Sequence, residues 1–147
     1  MILKIQKREN NPILRKKSLP VENIAEDVLN LVNDMTETML KFDGMGLAAN
    51  QIGKNIRIFV ANPNLSQKYV FINPEIYKIS EKTEILEEGC LSLPNVYKKI
   101  PRAKSLKIKA IDENGKQFKL KTKDILARVI QHEIDHLNGI LITDKNE

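Results

Sequence analysis

His132 and His136 are the only histidines in this chain of 147 residues, and Glu133 stands beside the first of them. Four residues are about one helical turn, so on a helix both imidazoles share a face and can grip one divalent ion. Glu133 would then reach a proton on a water bound to that ion. A match to this short pattern is not specific by itself, and the third ligand decides it. After His136 the chain offers Asp144 and Glu147 but no histidine, so the third donor is expected upstream. Cys90, the only cysteine, lies in Glu88-Gly89-Cys90-Leu91-Ser92 and offers a soft thiolate. A lone cysteine is often an inert buried residue. Here Gly89 and Pro94 bracket it, a setting in which backbone can come close to a reacting atom. Cys90, His132 and His136 are thus expected to form a three-ligand site with one position open to water.

The elements that must position these residues are legible in outline. Ser18 and Pro20 predict a helix start, and Ile24, Val28, Leu31, Val32, Met35, Met39 and Phe42 recur at helical spacing after it. Gly44-Met45-Gly46 ends that helix and opens a small-residue segment through Gln51, expected as a loop. It lacks the lysine of a phosphate loop and the spacing of a dinucleotide site. Short β-prone runs follow at Arg57-Ile58-Phe59-Val60, Tyr69-Val70-Phe71-Ile72 and Thr83-Glu84-Ile85-Leu86. Leu106, Ile108 and Ala110 alternate with lysines, and Asn114-Gly115 predicts a hairpin turn into residues 117–121. Thr122 is the expected cap of a second helix, which carries the histidines and stops at Gly139. The predicted class is α+β: antiparallel β-sheets packed around a central metal-bearing α-helix, with an N-terminal helix.

Length and composition fit one domain spanning residues 1–147 with its own core. No apolar run approaches membrane-spanning length, and the first residues lack a signal-peptide core. A single cysteine makes a reducing, cytoplasmic setting the expectation. The net charge of +5 is carried mainly by lysines without an arginine-rich or aromatic-interleaved motif. A solvated exterior is therefore expected, and no specific nucleic-acid partner.

Three segments together, Gly44-Met45-Gly46-Leu47-Ala48-Ala49-Asn50-Gln51, Glu88-Gly89-Cys90-Leu91-Ser92 and Gln131-His132-Glu133-Ile134-Asp135-His136, resemble the peptide deformylase family. Asn11-Pro12-Ile13-Leu14-Arg15 and Pro101-Arg102-Ala103 are similar to the family as well, so the likeness covers nearly the whole chain. It implies a hydrolase that removes the formyl group from the N-terminal methionine of newly made polypeptides. It implies Cys90, His132 and His136 as ligands of one divalent ion, Fe2+ first, with Ni2+, Co2+ or Zn2+ able to take its place. Glu133 falls on the family's general acid/base, Gln51 and the Leu91 N–H on its oxyanion donors, and Gly46 and Met45 on its substrate contacts.

Leu86, Ile125 and Val129 are expected beside Met45 as an apolar wall, with core packing as the competing reading for Ile125 and Val129. Arg128 stands where other members carry an apolar residue, and it either narrows the pocket or pairs with a carboxylate such as Glu87. Arg102 and Asp135 are expected as an ion pair that orients a ligand or as a surface pair. The expected form is short, without the C-terminal extension by which some members dock on the ribosome, so ribosome proximity would be transient. An HExxH peptidase and a purely structural metal site are the competing functional readings.

Overall fold

In a computed structural model, residues 1–145 are described; Asn146 and Glu147, the end of the tail from which no third ligand was expected, lie outside them. The elements in chain order are α1 (Pro12–Arg15), α2 (Glu26–Lys41), β1 (Gly46–Ala48), β2 (Ile58–Ala61), β3 (Val70–Ile79), β4 (Thr83–Cys90), β5 (Leu93–Ala103), β6 (Ser105–Ile111), β7 (Gln117–Lys123) and α3 (Asp124–Leu137). A single 3₁₀ turn, Ala49–Ile52, follows β1, and another, Ile142–Asp144, follows α3.

One sheet runs in the order β1-β2-β3-β6-β7, every pairing antiparallel. Successive side chains on a strand point to opposite faces, and both faces here are apolar over β2, which is buried throughout. Phe59, Phe71, Leu106 and Ile108 pack on Ala127, Val129, Ile130 and Leu137 of α3. Ile58, Val60, Val70 and Ile72 pack on Val28, Val32, Met35 and Met39 of α2. The architecture is the expected one, with the histidine-bearing helix buried against the sheet.

The first long helix begins at Glu26 and not at Ser18. Residues 18–21 are held extended instead: Leu19 exchanges backbone bonds with Asn55 and Arg57, and the Val21 N–H donates to Asn73 Oδ1 at 2.8 Å. Those partners are distant in sequence, so the local helix-start signal had no means of showing them. The Gly46 segment, read as loop, is partly strand, because β1 pairs with β2. Thr122 does not cap α3; β7 stays paired as far as Lys123, and the chain turns at Asp124 in the left-handed region, φ 57.

The clearest omission from the sequence reading is β5, whose prolines and lysines mask a strand. With β4 it forms a separate two-stranded sheet, slipped in register between Gly89 and Cys90. Gly139 does end α3. At φ 76 its N–H reaches the His136 carbonyl, while the Ile140 N–H reaches that of Asp135, the paired bonds of a Schellman cap. A Cβ there would sit 2.4 Å from the Arg15 carbonyl oxygen, so only glycine fits.

Candidate metal centre and cleft

α3 carries both histidines on one face, with Nε2 atoms 3.1 Å apart. From β4, the Cys90 Sγ reaches to 3.3 Å of His136 Nε2. The three donor atoms all lie within 4.8 Å of one another. Sulfur at about 2.3 Å and nitrogens at about 2.0–2.1 Å on tetrahedral corners would be separated by about 3.3–3.6 Å. The His132–His136 and Cys90–His136 spacings come close to that, so one soft thiolate and two imidazoles fit a divalent ion in type and in grouping.

The electrostatics point the same way. Burial pushes the His132 pKa down, but the charges of Glu133, Cys90 and Glu88 outweigh it and raise it to about 10. The surroundings therefore favour positive charge at this spot. Burial, with His132 beside it, drives His136 well below the usual imidazole range, towards the neutral form a ligand needs.

His132 is oriented by Glu88, which the sequence reading left out. Its Oε1 meets His132 Nδ1 at 2.9 Å, leaving Nε2 to face the thiol. Arg102 clasps both Glu88 oxygens at 2.9 Å, and Arg128 adds a further bond to Oε2. Burial raises the Glu88 pKa, yet His132 and Arg102 hold it well below the ordinary carboxylate range. Arg102 also pairs with Asp135, so that pair belongs to the buried network and not to the surface. Arg128 takes Glu88 and the carbonyls of Ile100 and Glu84, not Glu87. In a strand, residues two apart share a face, and Glu88 stands two before Cys90; that spacing was the available signal.

Glu133 is buried, and burial lifts its carboxyl to about 7, with His132 opposing. Its Oε1 has no hydrogen-bond partner among the described residues. Gly46 on β1 passes directly against it: an added Cβ would lie 2.7 Å from Glu133 Oε2 and 2.8 Å from Val129 Cγ1. The Gln51 side chain is fixed at one end, where Oε1 accepts from the Ala48 N–H at 2.9 Å. That leaves its Nε2 to donate to Ser92 Oγ at 3.1 Å, with Cys90 Sγ at 3.6 Å. Two further residues escaped the sequence reading. Asn50 Nδ2 donates to the His136 carbonyl, and Asn62 clamps the Gly44-Met45 backbone through two bonds.

A cavity of about 1140 Å³ opens over these groups. Gly46, Gln51, Cys90, Leu91, His132 and Glu133 line it, as do Met45, Leu86, Ile125, Arg128 and Val129; His136 lies behind it. Val129 is buried between cavity and core, whereas Met45, Leu86 and Ile125 are exposed at the rim. The expected residues are thus brought together in one place.

Such a cavity, with a buried helical carboxylate beside a Cys/His/His cluster, defines the class: a metal-dependent hydrolase. Residues 2–147 match the sequence model of the polypeptide deformylase family. A peptide deformylase of Dictyoglomus turgidum is 49% identical over 146 residues, covering 99% of this chain and 93% of that protein. One from Halothermothrix orenii is 43% identical, covering 98% and 93%. Among solved structures, the Thermotoga maritima peptide deformylase superposes with a TM-score of 0.95 at 39% identity, covering 100% of this chain and 99% of that one. The Synechococcus elongatus peptide deformylase in complex with actinonin gives 0.93 at 37% identity, covering 99% and 79%.

The chain belongs to the polypeptide deformylase family. It is an enzyme of that family's activity, metal-dependent removal of the N-formyl group from newly made polypeptides, with release of formate. No described helix is long and apolar enough to cross a membrane.

Proposed function

We propose that Cys90 Sγ, His132 Nε2 and His136 Nε2 hold one divalent ion, Fe2+ by preference, and that residues 1–147 act as one catalytic domain. The observation that supports this most is the convergence of those three atoms within 4.8 Å at one end of a substrate-sized cavity. A bound ion supplies Lewis acidity, lowering the pKa of water towards neutrality and polarising a carbonyl. Glu133 takes the proton of the attacking water at its unpaired Oε1 and returns it to the leaving nitrogen. Its ordinary pKa is 4.5, and the rise to about 7 suits a group that must both accept and give a proton near neutrality.

Gln51 Nε2 and the Leu91 N–H donate to the oxyanion formed on the formyl carbon, each contributing about 3–4 kcal/mol. The formyl C–N bond breaks, formate leaves, and the amine keeps the proton from Glu133. The first side chain of the substrate lies among Met45, Leu86, Ile125 and Val129, while its backbone runs along Gly46, which has no side chain to obstruct it. Arg128 closes the inner end and ties the pocket wall to Glu88. A cytoplasmic setting with transient ribosome proximity follows from a substrate that is a newly made chain. Protein loaded with Fe2+ or Ni2+ should release formate from a formyl-Met peptide. No release with confirmed metal occupancy rejects the assignment.

A further inference from the structure

The cavity over the metal centre has a wall that the chemistry at the formyl carbon does not use. At about 1140 Å³ it exceeds the roughly 300–1,000 Å³ that small-molecule pockets offer, so room remains for the residues after methionine. Residues 3–8 of the N-terminal segment all line it. This segment is pinned along its length. The Leu3 N–H donates to Thr38 Oγ1 at 2.8 Å, and Ile5 is buried. The Gln6 N–H donates to the Gln51 carbonyl at 2.6 Å, and the Arg8 N–H to the Ser92 carbonyl at 3.0 Å. Asn11 then holds the turn, its side-chain amide donating to the Lys7 carbonyl at 3.1 Å and its backbone N–H to the Arg8 carbonyl at 3.2 Å. Gln51 Nε2 in turn donates to Ser92 Oγ at 3.1 Å. The backbone of residues 6–8 is therefore fixed directly to Gln51 and to its partner Ser92.

Two cations ride on that fixed backbone. Lys7 and Arg8 are exposed on the cavity side, and among the described residues no carboxylate lies within pairing distance of either. Glu9, next in the chain, is turned to Arg15 instead, at 3.8 Å. Of the other acids lining the cavity, Glu88 and Glu133 belong to the metal centre, Glu87 stands opposite Lys99 in the ribbon, and Asp43 follows α2. Arg8 also holds φ 87, in the left-handed region that side chains disfavour. Such a conformation persists only where the surroundings over-determine it, and it clusters at ligand clamps.

We propose that Lys7 and Arg8 make the enzyme select formylated chains that carry an acidic side chain among the three residues after methionine. A formylated amine has no charge, so the blocked end offers nothing ionic to recognise and charge selection must fall on the residues that follow. An extended chain advances about 3.3 Å per residue, which brings those residues along the cavity while the formyl group stays at Gln51. The Arg8 guanidinium presents a planar fork to a carboxylate, and the Lys7 ammonium adds a point charge beside it. The inference rests on the proposed placement of the formyl group at Gln51 and Leu91.

Steady-state deformylation of amide-capped formyl-Met peptides by metal-quantified enzyme tests it, with Glu or Gln placed in turn at the second, third and fourth residue. At one or more of these positions Glu should raise kcat/KM about fivefold over Gln at low salt, through KM. High salt should erase the difference. K7Q/R8Q should bring the ratio to about one, whereas K16Q/K17Q, which removes the same charge outside the cavity, should keep it. Arg8→Gly, freed of the penalty at φ 87, should unfold at no lower temperature than the parent and lose about half of the preference or more. A ratio of one at all three positions, with formate released from every peptide, overturns this inference and leaves the proposed function standing. A preference kept in K7Q/R8Q, or lost equally in K16Q/K17Q, overturns it by assigning selectivity to another wall or to net charge. No formate from any peptide rejects the metal assignment and, with it, this selection.

Discussion

The two halves of the metal centre are built by opposite means. α3 brings His132, Glu133 and His136 from a helix sunk in the apolar core and closed by Gly139. β4 and β5 bring Glu88, Cys90 and Leu91 from a separate two-stranded sheet. A ribbon of two strands is marginal in water alone. This one rests on Leu93 and Ile100, packed with Leu14, Leu141 and Ile142, and on the Glu88 carboxylate shared by Arg102, Arg128 and His132. Apolar packing therefore sets the histidines, while a buried ionic knot sets the strand that delivers the thiol. The site's geometry is only as firm as that knot.

Cutting the knot should produce the largest effect. Glu88→Ala strands two buried guanidinium groups and frees His132, so a loss of about 3–5 kcal/mol in unfolding free energy is expected. Metal affinity should fall roughly 10- to 100-fold with it. A denaturant titration showing less than about 1 kcal/mol would mean that the ribbon is held by its apolar contacts instead.

Glu133 probes the helical half. Glu133→Gln should retain the metal and lose about two orders of magnitude or more in turnover, read from formate release by metal-quantified protein. Its pH dependence has a definite sign. The folded carboxyl sits at about 7 and its ordinary value is 4.5, so the native state holds a proton that the unfolded chain gives up. The resulting stabilisation is fully present below about pH 4.5 and lost as pH rises through 7. In metal-free protein, the stability advantage of Glu133→Gln over the parent should therefore grow by roughly 3 kcal/mol between pH 5 and 8. A gap that stays constant would show that Glu133 is not desolvated.

Arg128 should give the smallest effect. Arg128→Leu removes one of four bonds to Glu88 and leaves the Ile100 and Glu84 carbonyls unpaired, for a loss of about 1–3 kcal/mol. Thermal unfolding of this variant beside Glu88→Ala ranks the two, and a larger loss for Arg128→Leu would place the centre of the knot elsewhere.

What the sequence made legible follows the same division. The histidine helix, its stop at Gly139 and the alternation in β6 depend on local spacing, and all were readable. Cys90, Gln51 and Gly46 could be nominated from their motifs, but the reason Gly46 must be glycine, a carboxylate 2.7 Å from where a Cβ would be, required the packed structure. Glu88 was missed because its value lies in three partners from β5 and α3 that no window of sequence contains. The helix start at Ser18 failed for a related cause, since Asn55, Arg57 and Asn73 hold that segment extended across the fold. Long-range polar contacts, more than apolar periodicity, were the unreadable part.

X-ray absorption at the metal edge of zinc-loaded protein tests the ligand set most directly. One sulfur at about 2.3 Å together with two nitrogens at about 2.0–2.1 Å is the expected shell. A spectrum without sulfur, or one unchanged in Cys90→Ser, would contradict it.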